Sequence, residues 1–549
     1  MRWLGLPLVL LWGCPEKQQD EDWDAGPADS PELTPGHFSD VGQAVLDALE
    51  VYGGSEGVTW GMSSDSVLDP GWLLQTPPAD HWGVAGEDFA VDVSCGQDPD
   101  CDRDFDLLRC EVDGDCVYGG KCRPLLATVT VPGELPQDLC VGHSEELVDA
   151  VYLGMTSGTE FVDVASLTQP DGRFMAAVRN AVTWLHNSGS SAQVRVMYGS
   201  VPVISSWASD TLEEIVRDLP ADTPMSVYVG AYLVGLDSWN HSKIVAADGW
   251  TLVQGGHNMW TVDYLSIAPV HDVSMQLYGS PAGDAHRFLD RVWEYVCDNP
   301  SILDGYTDRD VYPHVPPNCP FAWGQPMEPQ YADAGTRVIS TGRLGGLGEN
   351  PADEALLAML RSAESTIRLS QQDLGPVALV GDLSLSDWPE DVMLELGYAM
   401  ARGVDVYVVL SEPGSVPGGG SVPYGNGWEI VEVAQTLEEF LETSGVFAPD
   451  EDIHAILCEQ LHLAPLRWFA GPSWPGGEQV ANHAKMVVTD EVAFYVGSQN
   501  LYPANLAEFG LIVDDEMMTL DLLQQYWDPM WSWSVEAAVS GWEADACTF

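Results

Sequence analysis

Two segments of this chain, WNHSKIVAADGWTLVQGGHN at 239–258 and ANHAKMVVTDEVAFYVGSQN at 481–500, set the same residues at the same intervals. His241, Lys243, Asp248, Gly255 and Asn258 in the first match His483, Lys485, Asp490, Gly497 and Asn500 in the second. An imidazole, an ammonium and an amide in one short segment make a patch suited to an anion. Two such patches facing each other suit a phosphodiester. One neutral imidazole attacks phosphorus, and the other, protonated, gives its proton to the leaving oxygen. The two Lys and two Asn hold the charge on the non-bridging oxygens. Water or an alcohol then opens the phosphohistidine, with the second His acting as base. Because the lysines supply the positive charge, this chemistry asks for no metal and no cofactor. A single copy is what a solvated strand with an incidental His and Lys would also give. Two copies with matched spacing, in matching places of two similar halves, are not explained that way.

A catalytic imidazole needs a partner on its other nitrogen to fix its tautomer. Asp272, in HDVSMQLYG, and Glu508, in NLAEFGLIV, follow the two motifs and are the expected orienting acids. Residues i and i+2 of a strand face the same way, so His241 projects with Lys243 and His483 with Lys485. Asp248-Gly249 is a turn dipeptide between two β-like runs and predicts a hairpin turning near 249–250, with the second turning around 490–492. The return strand brings Asn258 back beside His241. Asp248 and Asp490, at the turns, are expected to tie the hairpins down rather than to meet substrate. Gly255-Gly256 and Gly497-Ser498 leave room for a ligand to approach the backbone. His257 borders the site as a local neighbour. His143, His186 and His314 show no metal-ligand spacing and read as structural.

Helical stretches such as FMAAVRNAVTWLH alternate with β-like runs such as VRVMYG and MSVYVG, which indicates an α/β domain. The rhythm resumes after about residue 330 with ALLAMLRSAES, TIRLSQ, VMLELGYAMARG and VDVYVVLS, following a Pro-rich linker at roughly 298–335. The chain of 549 residues is too long for one ordinary core, and two α/β halves are expected, 41–325 and 326–549, each ending with one copy of the motif. VGQAVLDALEVY, from Val41, opens the first as an amphipathic helix. With 21 basic and 84 acidic residues the formal net charge is -63. Such a surface repels polyanions, so nucleic acid is not the expected partner.

The N-terminus, MRWLGLPLVLLWGC, is too short to span a bilayer and reads as an export signal over residues 1–14. Its end resembles a lipobox, which would place a lipid on Cys14; a plain signal peptide with an incidental Cys is the alternative. Residues 15–40 are acidic and Pro-bearing and read as a disordered tether. Of eleven cysteines, ten remain after Cys14, enough for five disulfides in an oxidising compartment. Six of them fall in 95–140, a small disulfide-stapled insertion whose fifteen possible pairings the sequence leaves open. Asp98, Asp100, Asp102, Asp104 and Asp106 alternate within it, but Leu107 stands where a calcium loop needs its turn Gly, so a solvated acidic loop is expected. The 21 Trp, several in WDPMWSWSVEAAVSGW, are assigned to packing ahead of a membrane interface.

The paired segments resemble the double H-x-K-x4-D-x6-G-(G/S)-x-N motif of the phospholipase D superfamily. SWNHSKIVAADG, GGHNMWTVDYL, IRLSQQDL, GWLLQTP and AFYVGSQNLYPANLAEFG are similar to the secreted bacterial, actinomycete-type members, from about residue 41 to the end. The resemblance implies two α/β/α sandwich halves related by a pseudo-twofold, with the site at their interface. It implies hydrolysis of the phosphate–headgroup ester of glycerophospholipids such as phosphatidylcholine, and transfer of the phosphatidyl group to alcohols. It assigns the nucleophile to His241, the general acid to His483 and the orienting acids to Asp272 and Glu508. Headgroup or acceptor contacts fall to Trp260, Tyr264 and Tyr424, the last in the Gly/Pro-rich loop PGSVPGGGSVPYGNG. Cys297 with Cys319 and Cys458 with Cys547 are the implied pairs. The long Cys-rich stretch, the anchor-like Cys14 and the acidity depart from that group. The expected protein is an exported monomer, tethered to the envelope or secreted, whose partner is a phospholipid at a membrane surface. A nuclease-like phosphodiesterase, a silent envelope binding protein and a membrane-embedded phosphatidyl transferase are the competing readings.

Overall fold

Ile244–Ala247 and Thr251–Gly255 consist of β-branched and small residues and pair as an antiparallel hairpin, Ile244 opposite Gln254 and Ala247 opposite Thr251. Lys485–Thr489 and Ala493–Gly497 repeat it, Met486 opposite Val496 and Thr489 opposite Ala493. The turn residues Asp248, Gly249, Asp490 and Glu491 have φ of 50°, 66°, 54° and 59°, the positive values that match a hairpin loop to strand twist. The first turn therefore centres one residue earlier than the sequence suggested.

The structure is a computed structural model that describes residues 37–84, 100–116, 120–200, 205–235, 237–299, 307–314, 319–323, 335–376, 378–380, 383–384, 388–415, 428–542 and 547–549. Cys14, Cys95, Asp98, Tyr424 and nearly all of the expected tether lie outside these residues.

The described residues form two large mixed sheets of eight and nine strands: β1 (Trp60–Ser66), β2 (Leu73–Thr76), β3 (Phe161–Ser166), β4 (Gln193–Gly199), β5 (Ser226–Val234), β6 (Ile244–Ala247), β7 (Thr251–Gly255), β8 (Asp272–Tyr278), β9 (Thr336–Leu344), β10 (Thr366–Gln371), β11 (Asp405–Leu410), β12 (Leu461–Pro465), β13 (Lys485–Thr489), β14 (Ala493–Gly497) and β15 (Ala507–Asp514), with two short strands, Ser238–Trp239 and Asp308–Tyr312, that pair with β5. The first sheet runs β5-β4-β3-β6-β7-β8-β2 and the second β12-β11-β10-β13-β14-β15-β9-β1. In each, three parallel strands are followed by antiparallel neighbours that carry the motif. The chain is a repeated α/β unit.

The strands that carry the motif are buried along their whole length, as expected for sheets covered on both faces. Helices Glu146–Thr156 and Gly172–Asn187 cover the outer face of the first sheet. Pro351–Ser362, Glu390–Ala401 and Ile430–Ser444 cover that of the second. Between the sheets, helix Pro281–Asp298 and the helical segment from Glu516 share one core, in which Leu252, Met275 and Phe288 meet Met486, Phe494 and Phe509. Each inner helix follows the equivalent strand, β8 or β15, giving two α/β/α halves.

The expected boundary at 325/326 does not hold at the N-terminus. Helix Asp40–Leu49 buries Val41, Val45 and Leu49 in the second half's outer core beside Leu356, Met359 and Leu360, at about 1.5–3 kcal/mol per side chain. Ser39 N–H donates to Asp514 Oδ2 over 2.7 Å. Strand β1 then pairs with β9, covering an edge that would otherwise be open. The segment read as a linker also holds a strand, Asp308–Tyr312, paired with β5.

Disulfides join Cys110 to Cys122 and Cys116 to Cys140 in the insertion, and Cys101 is disulfide-bonded as well. Two more join Cys297 to Cys319 and Cys458 to Cys547. The insertion's Phe105, Leu107, Leu125 and Leu139 join the first half's outer core. Its acidic run is not simply solvated: Asp102 is buried and accepts from Asp104 and Phe105 N–H, while Asp104 pairs with Arg179 and Arg217. No helix among the described residues is long and apolar enough to cross a membrane.

Candidate active site

Both histidines precede a motif strand, and both are placed by the opposite half. His241 N–H donates to the carbonyl of Ala507 over 2.7 Å, and His483 N–H to that of His271 over 2.7 Å. The next residue in each case is an acid. His241 Nδ1 lies 2.8 Å from Glu508 Oε1, and His483 Nδ1 lies 2.6 Å from Asp272 Oδ2. The orienting acids are therefore crossed, each serving the other motif's histidine. His241 Nδ1 also lies 3.1 Å from the Ser498 carbonyl. A carbonyl only accepts, so Nδ1 carries the hydrogen and, in the neutral ring, Nε2 carries the lone pair.

The residue before each histidine anchors the turn. Asn240 Nδ2 donates to Ser166 O over 2.8 Å, at the end of β3, and Asn482 Nδ2 donates to Ser370 Oγ over 3.0 Å and Val409 O over 3.1 Å. Both are fully buried. The repeated Asn-His in WNHSK and ANHAK was the signal for them, unused in the sequence reading.

Lys243 Nζ donates to the His241 carbonyl and Lys485 Nζ to that of His483. All four side chains are buried, as are Asn258 and Asn500, three residues past the ends of the return strands. Burial, reinforced by the two ammoniums, holds both imidazolium forms well below the usual histidine range. Burial also pushes Lys485 down to about 8 and Lys243 well below its ordinary value. The site thus resists carrying several cations while empty, and a bound anion reverses that balance.

Asp248 and Asp490 act at the far end of the hairpins. Asp248 accepts from the N–H groups of Thr159, Glu160 and Phe161 and from Thr159 Oγ1, between 2.6 and 3.0 Å. Asp490 accepts from Glu364, Ser365 and Thr366 N–H and from Ser365 Oγ, between 2.7 and 2.9 Å. Each carboxylate ties its turn to the start of the neighbouring parallel strand.

Several residues expected to contact substrate have other partners. A Cβ at Gly256 would come within 2.0 Å of Asp272 Oδ1, and one at Gly497 within 2.1 Å of the Tyr495 hydroxyl. The glycines thus admit the orienting carboxylate and a tyrosine rather than a ligand. Ser498 accepts from Phe509 N–H through Oγ and from His241 through its carbonyl. Tyr264 is buried behind the site with its hydroxyl donating to Asp272 Oδ2 over 2.9 Å. Trp260, nearly buried, donates to Thr168 Oγ1 over 2.7 Å. These positions are filled because the acids need donors and room more than the backbone needs exposure. His257 bridges Ser274 Oγ and Thr76 Oγ1 at 2.8 and 2.9 Å. His143 lies against His81 with the rings tilted by 52°, His186 meets Thr223, and His314 is exposed beside Asp310.

No family model matches the chain. It is 28% identical over 558 residues to the phospholipase D of Streptomyces antibioticus, covering 90% of this chain and 88% of that one. Phospholipase D Z of Dictyostelium discoideum is 22% identical over 284 residues, 47% of this chain and 54% of that protein. Among solved structures, the phosphatidylserine synthase of Haemophilus influenzae Rd KW20 matches with a TM-score of 0.46 at 14% identity, over 71% of this chain and 84% of that one. The phospholipase D family member Nuc from Salmonella typhimurium matches with a TM-score of 0.21 at 18% identity, over 36% of this chain and 96% of its own. Two copies of one motif thus meet in a single buried site, and along nine-tenths of its length the chain is similar to a phospholipase D.

Proposed function

We propose that the chain is a phospholipase D that cleaves the phosphate–headgroup ester of glycerophospholipids such as phosphatidylcholine, releasing phosphatidic acid. The observation that carries this reading is the pair of imidazoles, each with its Nδ1 on a buried carboxylate of the other half. His241 Nε2 attacks phosphorus while the Nε2–H of protonated His483 passes its proton to the leaving headgroup oxygen. The N–P bond forms as the P–O bond breaks. Water, or an added alcohol, then gives its proton to His483 and attacks phosphorus, releasing His241 with phosphatidic acid or a new phosphatidyl ester. A phosphodiester anion between the lysines raises both histidines from their depressed state, so binding itself charges the acid.

Two features support a lipid. A groove of about 600 Å3 opens beside Asn500, its walls divided between Leu356, Leu357, Leu360, Trp388 and Leu501 and the charged Arg343, Asp353, Glu390 and Asp391, a mixed lining that suits an amphiphile. Trp207, Val262 and Ile267 are 51%, 40% and 44% exposed in connections, one of them holding the short helix Thr261–Tyr264, that leave the motif end of the first sheet, where they suit a bilayer interface. The disulfides belong with an oxidising compartment and with export, and Cys14 offers a lipid-anchor site. The net charge of -63 argues against a polyanionic substrate.

The test is choline release from phosphatidylcholine vesicles with ethanol present, comparing wild type with His241→Asn and His483→Asn. Choline and phosphatidylethanol from wild type alone is the expected result. A folded wild type that releases no headgroup from any phospholipid, or that cleaves nucleic acid instead, overturns the reading.

A further inference from the structure

The two halves repeat strand for strand, yet the supports behind their orienting acids differ. In the first sheet Asp272 stands opposite Thr76, and in the second Glu508 stands opposite Arg343. Thr76 turns its hydroxyl to Val270 O and His257. Arg343 instead brings Nη1 to 3.9 Å from Glu508 Oε2. Its Nε lies 3.0 Å from Asp353 Oδ1, Nη1 also donates to Ala504 O, and Gln499 Nε2 holds the same Asp353 oxygen over 2.6 Å. Beyond its histidine, Asp272 takes its hydrogen bonds from neutral donors, the Tyr264 hydroxyl at 2.9 Å on one oxygen and Val273 N–H at 2.9 Å on the other, and shares the field of Lys243 and Lys485 with Glu508. Among the described residues no Lys or Arg lies within ion-pair distance of Asp272.

This difference matters because of what Glu508 must do. His241 presents an Nε2 lone pair only while Nδ1 keeps its hydrogen, and two acceptors hold it there, Glu508 Oε1 at 2.8 Å and, more weakly, the Ser498 carbonyl at 3.1 Å. A protonated Glu508 would turn its O–H toward Nδ1 and move the ring hydrogen to Nε2, off the nitrogen that has to react. We propose that Arg343, braced by Asp353 and Gln499, is a positioning residue that keeps Glu508 an acceptor and so holds His241 in its nucleophilic tautomer. Burial raises the Glu508 carboxyl, and Arg343 is the strongest charge opposing that rise, ahead of Lys243 and Lys485. Asp353 works against the cations, and Tyr495 and Tyr502 sit in the same field. Asp272 needs no such cation because two neutral donors already occupy its oxygens. This inference rests on the phospholipase D reading for its kinetic consequence but not for the tautomer.

The experiment pairs a pH profile with a direct look at the ring. Arg343→Met is compared with wild type and Arg343→Lys, using a soluble short-chain phosphatidylcholine between pH 5 and 9; Arg343→Gln replaces Met if that variant fails to fold. The expected result is a loss of tenfold or more at pH 6 that narrows steadily as pH rises, the acidic limb of kcat/KM moving up by at least one pH unit. Arg343→Lys keeps the limb within half a unit. A loss that is the same at every pH overturns the proposal. Nitrogen-15 NMR of histidine-labelled full-length protein gives the second readout, His241 as the Nδ1–H tautomer in wild type and Nε2–H in Arg343→Met at pH 7. An unchanged tautomer overturns the proposal whether or not the protein cleaves lipid. An inactive wild type with the expected tautomer change leaves Arg343's role intact and removes the lipase reading alone.

Discussion

Glu508 Oε1 lies 2.8 Å from His241 Nδ1 although 267 residues separate them. The acid that follows the second motif serves the histidine of the first, and 211 residues away the Asp272–His483 pair does the converse. Neither half holds a complete histidine–acid pair of its own. Because each acid also follows the residue whose carbonyl receives the other histidine's N–H, one strand sets both the height and the rotation of that ring. Glu508→Gln and Asp272→Asn keep the shape and remove the charge. Each is expected to lower kcat by about 10³–10⁴-fold, the scale seen when the acid behind a catalytic imidazole becomes an amide, with KM changed less than threefold. Steady-state kinetics on folded variants checks this, and activity within tenfold of wild type would refute the crossed pairing.

The two histidines should respond differently to the leaving group. His483 is needed to protonate a poor one such as choline, whereas p-nitrophenol departs without a proton. His483→Asn is therefore expected to release p-nitrophenol from phosphatidyl-p-nitrophenol in a burst of about one equivalent and then stall, since the acid that becomes the base for water is gone. His241→Asn should give no burst. Rapid-quench kinetics, with mass spectrometry of the peptide containing His241, distinguishes the cases. A burst from His241→Asn would exchange the two roles.

Those roles rest on geometry that was only partly written in the local sequence. The motif spacing, the hairpins and the alternation of helix and strand were legible because each depends on residues within about twenty positions, as in Asp248-Gly249 or TIRLSQ. The crossing of Asp272 and Glu508 was not, since it depends on how two sheets dock, and no local pattern states which histidine an acid will meet. The placement of Asp40–Leu49 was hidden for the same reason. Its apolar stripe predicts burial, but Val41, Val45 and Leu49 would suit either half, and only the open edge of β9 and the acceptor at Asp514 select the second. Tyr264, which the resemblance puts at a headgroup or acceptor contact, also gives its hydroxyl to Asp272, a bond that no local pattern states.

Asp248 and Asp490 test how much of the motif is architecture. Each carboxylate accepts four hydrogen bonds from the start of a parallel strand, at the end of the hairpin away from the histidines. Asparagine tolerates the positive φ of these turns, so Asp248→Asn and Asp490→Asn remove acceptor capacity without breaking the backbone. Each is expected to cost about 1–3 kcal/mol of stability while leaving KM within twofold and kcat within fivefold. Urea unfolding beside kinetics measures both. A kcat loss above a hundredfold with unchanged stability would return these aspartates to the chemistry.

His257 and His271 supply a stability signal separate from catalysis. Burial pushes each down to about 4, and each is held in its neutral form, His257 between two hydroxyls and His271 between Thr76 O and the Tyr526 hydroxyl. In the unfolded chain a histidine takes up its proton near pH 6.5, so between about 6.5 and 4 the unfolded state binds more protons than the folded one. Linkage then makes stability fall as pH falls through that window, by roughly 3 kcal/mol per histidine in all. Thermal unfolding between pH 6.5 and 5, above most carboxylate titration, should show a declining Tm, and His257→Asn should flatten part of that decline. A Tm that is level over this interval, or a decline the variant leaves untouched, would mean that His257 takes its proton in the folded state as readily as in the unfolded one.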